Sequence, residues 1–503
     1  MIANPFDDFV SAEQAVLRRD STGNDKVGHL LWGDGVHVTG PAANGRLPVR
    51  ARGRNRRGWV DVADLGGRPL LEVYFIDVGQ GDGMLIRTPD FRHVMIDGGH
   101  PRRSQPSGKN AADFVDWKFF EDYGLDRIDL DAMIISHNDF DHYGGLADIL
   151  DAAQEEELDC QGVTVDAFYH AGVSWWREGQ SGKTLGPTAS SGGDTFLIRL
   201  LEDRASLLLA LDETSGGPQL QGEWRRFLEK VRDARTAAGG STPVRRLTDR
   251  SATVPGFDDG AMGVLRVLAP VHFQIGGQAA VRRYPGGDSK NTNGNSILLR
   301  LDFGAVRILL TGDLNKASQS ALLQDYEGRR LEFKCDVAKG CHHGSDDVSF
   351  GFLQAMEPAA TIISSGDGEG HDHPRPRIVA ASGVTGHLTV EDDEIRTPLV
   401  YSTELARSYQ LGDPLAIHMP GDATTAAITV DGARLDRTEV DLAVRKPGGL
   451  RAERKKRSLG RSYVVAGLSY GLVNLRTDGR KILLATMNEG DGSWSVRSFR
   501  SRF

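Results

Sequence analysis

Cysteine is scarce: Cys160, Cys335 and Cys341 are the only three among 503 residues. That excludes a disulfide framework and fits a reducing compartment. No run approaches the roughly 18 apolar residues that a membrane-spanning helix needs. Residues 1–20 lack the apolar stretch of a secretory signal and carry early acids. The expectation is a cytoplasmic protein with no membrane association. Neither sign of charge dominates. Lys and Arg number 60 against 69 Asp and Glu, a net −9 that argues against wholesale coating by nucleic acid. Local basic stretches remain, at Arg46, Arg50, Arg52, Arg54, Arg56 and Arg57 and again over 451–461. They read as solvated surface, or more sharply as phosphate contacts.

A chain this long exceeds one ordinary core, so two or three domains are expected. Residues 1–27 read as a polar lead-in. Residues 28–68 alternate with period two between Gly and Pro, as in a small β-module, and their Gly58-Trp59-Val60 ending is similar to bacterial SH3-like domains. From 69 the rhythm becomes strands and helices: strands at 71–78, 84–88, 93–96 and 132–136, helices at 110–123 and 144–153. Residues 155–260 break it with a Ser/Gly-rich loop at 179–193 and amphipathic stretches at 195–213 and 220–238, read as an insertion that caps a site. Strands return at 263–268, 296–302, 306–311, 335–339 and 361–364, with helices at 315–326 and 348–357. The main domain is expected over 69–390, completed by 391–503, with 451–461 as a basic loop. Strands alternating with helical crossovers imply a layered α/β architecture.

Chemistry concentrates in Ser136-His137-Asn138-Asp139-Phe140-Asp141-His142-Tyr143-Gly144-Gly145. Imidazoles and carboxylates packed this densely behind an apolar strand suit Zn²⁺, Mn²⁺ or Fe²⁺. Three further segments repeat the pattern of ligand after strand: Thr311-Gly312-Asp313, Cys341-His342-His343-Gly344-Ser345 and His371-Asp372-His373-Pro374. Asp313 is placed to bridge two metals. Asp77, ending the strand Tyr74-Phe75-Ile76, is placed to accept a hydrogen bond from a metal-bound histidine, and Asp82 to do the same or to position substrate. Asp97, in Ile96-Asp97-Gly98-Gly99, fits a β-turn as well as a supporting role.

Taken in order, Asp-Val-Gly-Gln-Gly-Asp, Ile-Asp-Gly-Gly, Ser-His-x-Asp-x-Asp-His-x-Gly-Gly, Asn-Ser, Leu-Thr-Gly-Asp, His-His-Gly-Ser and His-Pro resemble the metallo-β-lactamase superfamily. They look most like the branch found in the soluble domain of the DNA-uptake protein ComEC, over residues 71–375. The resemblance implies an αββα sandwich with a metal site at one edge of its two sheets, here behind the small SH3-like barrel. It implies one or two divalent ions, zinc or manganese. His137 and Asp139 would hold one, Asp141 and His142 the other. Asp313 would bridge them, and the His342–His343 pair would complete the second metal or contact substrate. Asp139 stands where the wider superfamily usually has His, and Asn295 where it often has a third. Both changes swap nitrogen for oxygen donors and favour harder ions such as Mn²⁺.

The residues themselves imply hydrolysis by water made nucleophilic on a metal. Asp141 is the natural group to orient that water or carry its proton. His373 and Ser345 are placed to contact a phosphate oxygen. Lys339 adds positive charge, and Lys316 reads as solvated surface. The ComEC-like resemblance implies a phosphodiesterase acting on nucleic acid or a nucleotide. Lactonase, amidase and phosphorylcholine-esterase activities, or a binding module with a vestigial site, are the alternatives. The SH3-like module suggests recruitment of a protein partner.

Overall fold

The computed structural model describes residues 3–51, 56–105, 109–151, 158–180, 182–366, 373–403, 416–417, 428–429, 439–444, 453–458, 472–487 and 494–503. Two sheets lie face to face. The first has nine strands, in the spatial order Val244–Arg246, Phe168–His170, Ala132–Ile134, His93–Gly98, Gly83–Arg87, Leu71–Phe75, Val473–Thr477, Lys481–Met487 and Trp494–Arg500. The second has six: Val264–Ala269, Leu298–Phe303, Val306–Leu310, Val337–Lys339, Ala360–Ile363 and Leu399–Ser402.

Strand alternation sorts the side chains into three layers. Met84, Ile86, Val94 and Ile96 of the first sheet meet Leu299, Leu301, Ile308 and Leu310 of the second in a central core. Leu85, Met95 and Met133 point the other way, to helices α1 (Ala111–Trp117), α2 (Phe140–Ile149), α3 (Arg204–Leu211) and α4 (Gly222–Asp233). A short helix α5 (Asp288–Gly294) precedes the second sheet's inner strands. On that sheet's outer face, Leu309 and Ala338 pack with Leu322 of α6 (Lys316–Asp325) and with Phe352 and Met356 of α7 (Phe350–Met356); Ala381 of α8 (Pro376–Thr385) packs against the same cluster. The layers run helix, sheet, sheet, helix.

Several boundaries differ from the sequence reading. The N-terminal module begins at residue 8, so 1–27 is not a lead-in. Asp8–Phe9, Gln14–Arg18 and Lys26–Leu31 join Gly35–Val38, Arg46–Arg50 and Arg57–Asp61 in a six-stranded antiparallel sheet with its own core of Leu17, Leu30, Val36, Val49 and Val60. The polar positions that disguised these strands face outward. The expected insertion over 155–260 contains two core strands, Phe168–His170 and Val244–Arg246, each paired in parallel within the first sheet. Within it, 179–193 is not a loop: Trp176–Glu178 pairs with Gly182–Thr184, and Thr188–Ser191 with Asp194–Leu197. The stretch expected as helix at 195–213 is helical only over α3. In the tail, Glu453–Ser458 is a strand paired with Glu439–Val444 rather than part of a basic loop; the rest of 451–461 lies outside the described residues.

A buried cation ties the module to the sandwich, beside an apolar contact of Leu31 with Leu483 and Ala485. Arg476, fully buried on the strand Val473–Thr477, lies 2.7 Å from Asp34 and donates to the Trp32 carbonyl at 2.7 Å, both in the module. Glu72 on the adjacent strand lies 3.8 Å from Arg476 and 2.6 Å from Arg87, and accepts from the Tyr74 hydroxyl. Burial works against charge on Glu72, but Arg476 and Arg87 hold its carboxyl below the usual range.

Candidate metal centre

The site forms where strands of both sheets end. Ala132–Ile134 leads into the histidine motif, and α2 starts at Phe140 rather than after the cluster, so Asp141 and His142 lie in its first turn. Asp139 takes the N-cap position, yet its carboxylate makes no capping bond and stays available to the site. Two glycines let α2 settle onto the strand ends. A Cβ on Gly145 would come 2.0 Å from the Gly98 carbonyl oxygen. A Cβ on Gly81, at φ +118°, would come equally close to the Asp141 carbonyl oxygen. On the other sheet, Asp313 follows Val306–Leu310. His342 and His343 follow Val337–Lys339 in left-handed conformations, φ 48° and 53°. Non-glycine residues held there store about 1–3 kcal/mol each, and such strain clusters at functional sites.

Three imidazoles converge with the same polarity. His142 Nδ1 lies 2.9 Å from Asp97 Oδ2, while its Nε2 lies 3.4 Å from Asp313 Oδ2. His343 Nδ1 lies 3.1 Å from the Ser364 carbonyl oxygen and its Nε2 3.0 Å from the same Asp313 oxygen. His137 Nδ1 is held by the hydroxyls of Ser136 at 3.1 Å and Ser296 at 3.3 Å. Its Nε2 faces Asp139 Oδ2 at 3.8 Å. Nδ1 set against a carboxylate or carbonyl must carry the proton, which leaves the Nε2 lone pair toward the centre. Asp141 Oδ2 lies 3.8 Å from His343 Nε2. His137, His142 and Asp313, and likewise Asp141, His142 and His343, offer ligand atoms within 4.8 Å of one another.

This donor set fits a divalent cation. The Nε2 atoms of His142 and His343 and Asp313 Oδ1 are buried without a hydrogen bond. Such groups are costly to leave unmade unless an ion completes them. The carboxylates' field attracts positive charge to the same point, and without an ion the histidines take it up as protons. Burial opposes charge on His343, but Asp313 and Asp82 outweigh it and hold its pKa up to about 9. His142 is raised likewise by Asp313 and Asp97 against burial. Burial, and then the positive His142, push His137 down to about 3. Burial and the neighbouring Asp141 push Asp139 up to about 7.

The residues singled out by sequence do not all reach this centre. His137, Asp139, Asp141, His142, Asp313 and His343 are brought together. His342 Nε2 lies 3.9 Å from Asp313 and 3.3 Å from the Asn293 amide, and the His373 ring is 5.8 Å from that of His342. His371 and Asp372 lie outside the described residues. The carboxylate behind His142 is Asp97, not Asp77, which accepts from the Gly79 N–H at 3.2 Å. Asn295 ends α5 and donates to the carbonyls of Arg282 and Asn291, so the residue touching His137 is its neighbour Ser296. Ser345 is occupied locally, its hydroxyl accepting from the Asp347 N–H. Lys316 is exposed. Asp82 stands behind His343, its Oδ1 3.4 Å from His343 Nδ1, as the sequence reading allowed; it is also tied to the fully buried Lys339 at 2.5 Å, and Lys339 reaches Asp313 at 3.5 Å, so this ammonium is a fixed counter-charge behind the ligands. Thr292 was not foreseen; its hydroxyl holds Asp139 at 3.0 Å. The Asn-Ser motif pointed to this loop but not to which of its side chains turns inward.

Residues 76–231 match the metallo-beta-lactamase superfamily. That stretch of the chain is similar to the metallo-β-lactamase superfamily, whose paired-sheet fold the molecule shares. The chain resembles the ComEC-like branch: it is 24% identical to ComE operon protein 3 of Bacillus subtilis (strain 168) over 317 residues, 61% of this chain and 30% of that protein. It is 34% identical to competence protein ComA of Neisseria gonorrhoeae over 96 residues, 18% of this chain and 14% of that one. The chain thus spans under a third of the length of these relatives. Among solved structures, a metal-dependent hydrolase of the beta-lactamase superfamily aligns at TM-score 0.30 and 13% identity over 66% of this chain and 95% of its own. A diphosphatase of the PhnP family aligns at TM-score 0.25 and 10% identity over 58% of this chain and 85% of its own. Among the described residues, no helix is long and apolar enough to cross a membrane.

Proposed function

We propose that this protein is a metal-dependent phosphodiesterase acting on nucleic acid or a nucleotide. The observation that carries the reading is the shared polarity of His137, His142 and His343, each with Nδ1 anchored and Nε2 turned to the Asp313 side of one pocket. Asp141, His142, Asp313 and His343 would hold one divalent ion; His137 and Asp139, with Asp313 between, would hold a second. A bound divalent ion acidifies water and draws charge from a phosphoryl oxygen. The oxygen-rich donors around Asp139 suit manganese as well as zinc.

The chain's own residues supply the rest. Asp97 and the Ser364 carbonyl fix the tautomers of His142 and His343. Thr292 orients Asp139. Asp141, in the first turn of α2 beside that pocket, accepts the proton lost by the attacking water. His373, its ring 5.8 Å from that of His342, would contact the substrate phosphate in this reading. The N-terminal module, SH3-like in this reading, recruits a protein partner through its outward face.

The test pairs metal analysis of the purified protein with hydrolysis of bis(p-nitrophenyl) phosphate in Mn²⁺ and Zn²⁺, against a lactone panel. The reading expects stoichiometric metal and diester cleavage that Asp141→Ala abolishes. Lactone turnover without diester cleavage would overturn the substrate class.

A further inference from the structure

A groove of about 840 Å³ opens from the metal-site carboxylates Asp139 and Asp141 and runs to Lys183 on the hairpin formed by Trp176–Glu178 and Gly182–Thr184. Its walls come from the histidine motif, that hairpin, and the starts of α4 and α5. We infer that this groove holds nucleotides flanking the scissile phosphate of a single-stranded nucleic acid, with Phe140 as a stacking surface and Lys183 as a phosphate contact. The inference rests on the phosphodiesterase reading and assigns its substrate class.

Four observations carry it. The groove is continuous with the catalytic carboxylates, so a chain held at the centre must pass along it. Its volume lies at the upper part of the roughly 300–1,000 Å³ range of ligand pockets, far more than one phosphate group needs. The lining joins an aromatic face to a cation, the combination that binds single strands without reading sequence. Phe140 is half-buried, and the exposed Lys183 extends over the buried Trp175 with its ammonium 3.8 Å from the ring centroid. Asn138, another wall residue, is buried with both amide atoms lacking a hydrogen-bond partner.

The groove also carries carboxylates, which would repel phosphates if free. Glu223 lies 2.6 Å from Arg226 and 3.4 Å from Arg103, and Asp288 lies 3.6 Å from Arg283. Asp139 and Asp141 face the metal. Lys183 therefore meets an incoming strand without a competing free carboxylate among the groove's residues. The start of α4 adds to this: no side chain caps it, and Gly222 there has open space where a Cβ would be. Stacking on Phe140 requires an unpaired base, because a duplex presents no free base faces.

The experiment measures binding of a short fluorescein-labelled phosphorothioate oligothymidylate, which resists cleavage, to the full metal-loaded chain over a range of NaCl, for wild type, Lys183→Glu and Lys183→Gln. Wild type is expected to bind, and Lys183→Glu to bind about tenfold more weakly, with the slope of log Kd against log salt reduced by about 0.7 for each phosphate that the side chain stops neutralising. Lys183→Gln, which keeps length without charge, should fall between. A pre-annealed duplex should compete poorly. Equal affinity and slope in all three proteins, or no oligonucleotide binding by wild type, overturns the inference. Hydrolysis of bis(p-nitrophenyl) phosphate by wild type is measured in parallel. If that activity is missing while Lys183→Glu still weakens binding, the phosphodiesterase reading falls and the groove stands.

Discussion

Replacing Asp97 by Asn tests the metal centre through a residue that need not touch the metal. Asp97 sits at φ +54°, a conformation that Asn tolerates and Ala does not, so Asn keeps the backbone in place. Its side-chain oxygen can still accept from the Ser136 N–H, now 2.7 Å from Asp97 Oδ1. The other side changes sign. Asp97 Oδ2 lies 2.9 Å from His142 Nδ1 and 2.6 Å from the Ser136 hydroxyl, and an amide NH₂ in its place offers a proton where the ring offers one already. His142 must then turn its Nδ1 lone pair to the amide and carry its proton on Nε2, the atom facing Asp313. Loss of such a supporting carboxylate costs about 10–100-fold in metal affinity. At 1.36 kcal/mol per tenfold, that is about 1.4–2.7 kcal/mol. Competition against a chromogenic chelator reads the affinity directly, with circular dichroism to show that the variant is folded. Wild-type affinity in folded Asp97→Asn protein would refute the assignment of His142 Nε2 to the metal.

Arg476→Met leaves Asp34 and Glu72 buried without their shared cation and should cost about 3–5 kcal/mol. Arg68→Met, which breaks a mostly exposed pair with Asp478, should cost only about 0–1 kcal/mol; equal drops in unfolding temperature would contradict the buried-joint account. Glu72 fixes a pH dependence. Its folded pKa lies below the unfolded 4.5, so its contribution is complete above pH 4.5 and is lost as pH falls through the lower folded value. Stability measured at pH 6 and again below 4.5 should therefore decline less in Glu72→Gln than in wild type, although the variant starts lower. Gly145→Ala would set a Cβ 2.0 Å from the Gly98 carbonyl oxygen, pushing α2 off the strand ends. It should cost about 1–3 kcal/mol and lower metal content together. Full metal occupancy in that variant would show that the contact does not position Asp141 and His142.

The motif residues were legible because their chemistry is written in adjacent positions after apolar strands. The placement of His137, Asp139, Asp141, His142, Asp313 and His343 around one pocket follows from ligands that each terminate a strand of a two-sheet core. What the sequence hid was long-range. Asp97 looks like a turn residue until Ala132–Ile134 is paired beside His93–Gly98, which carries Ser136 and His142 onto its carboxylate. Asn295 and Ser296 are neighbours, and only the end of α5 decides which faces His137. Phe168–His170 and Val244–Arg246 are three residues each, too short for periodicity to register, and their pairing partners lie far away in the chain. The strands that begin before residue 28 are two to six residues long, too short for alternation to register, and their core is small.

The strand Leu71–Phe75 is paired on one side with Gly83–Arg87 and on the other with Val473–Thr477, roughly four hundred residues later. During synthesis the edge that pairs with Val473–Thr477 has to wait for that strand to emerge, and until then Arg476 is missing from between Asp34 and Glu72. Until that strand arrives the nascent protein carries an open sheet edge, with Asp34 lacking its cation and Glu72 left with Arg87 alone of its two arginines, which invites chaperone binding there. A premature stop shortly before Leu472 would make that transient state permanent.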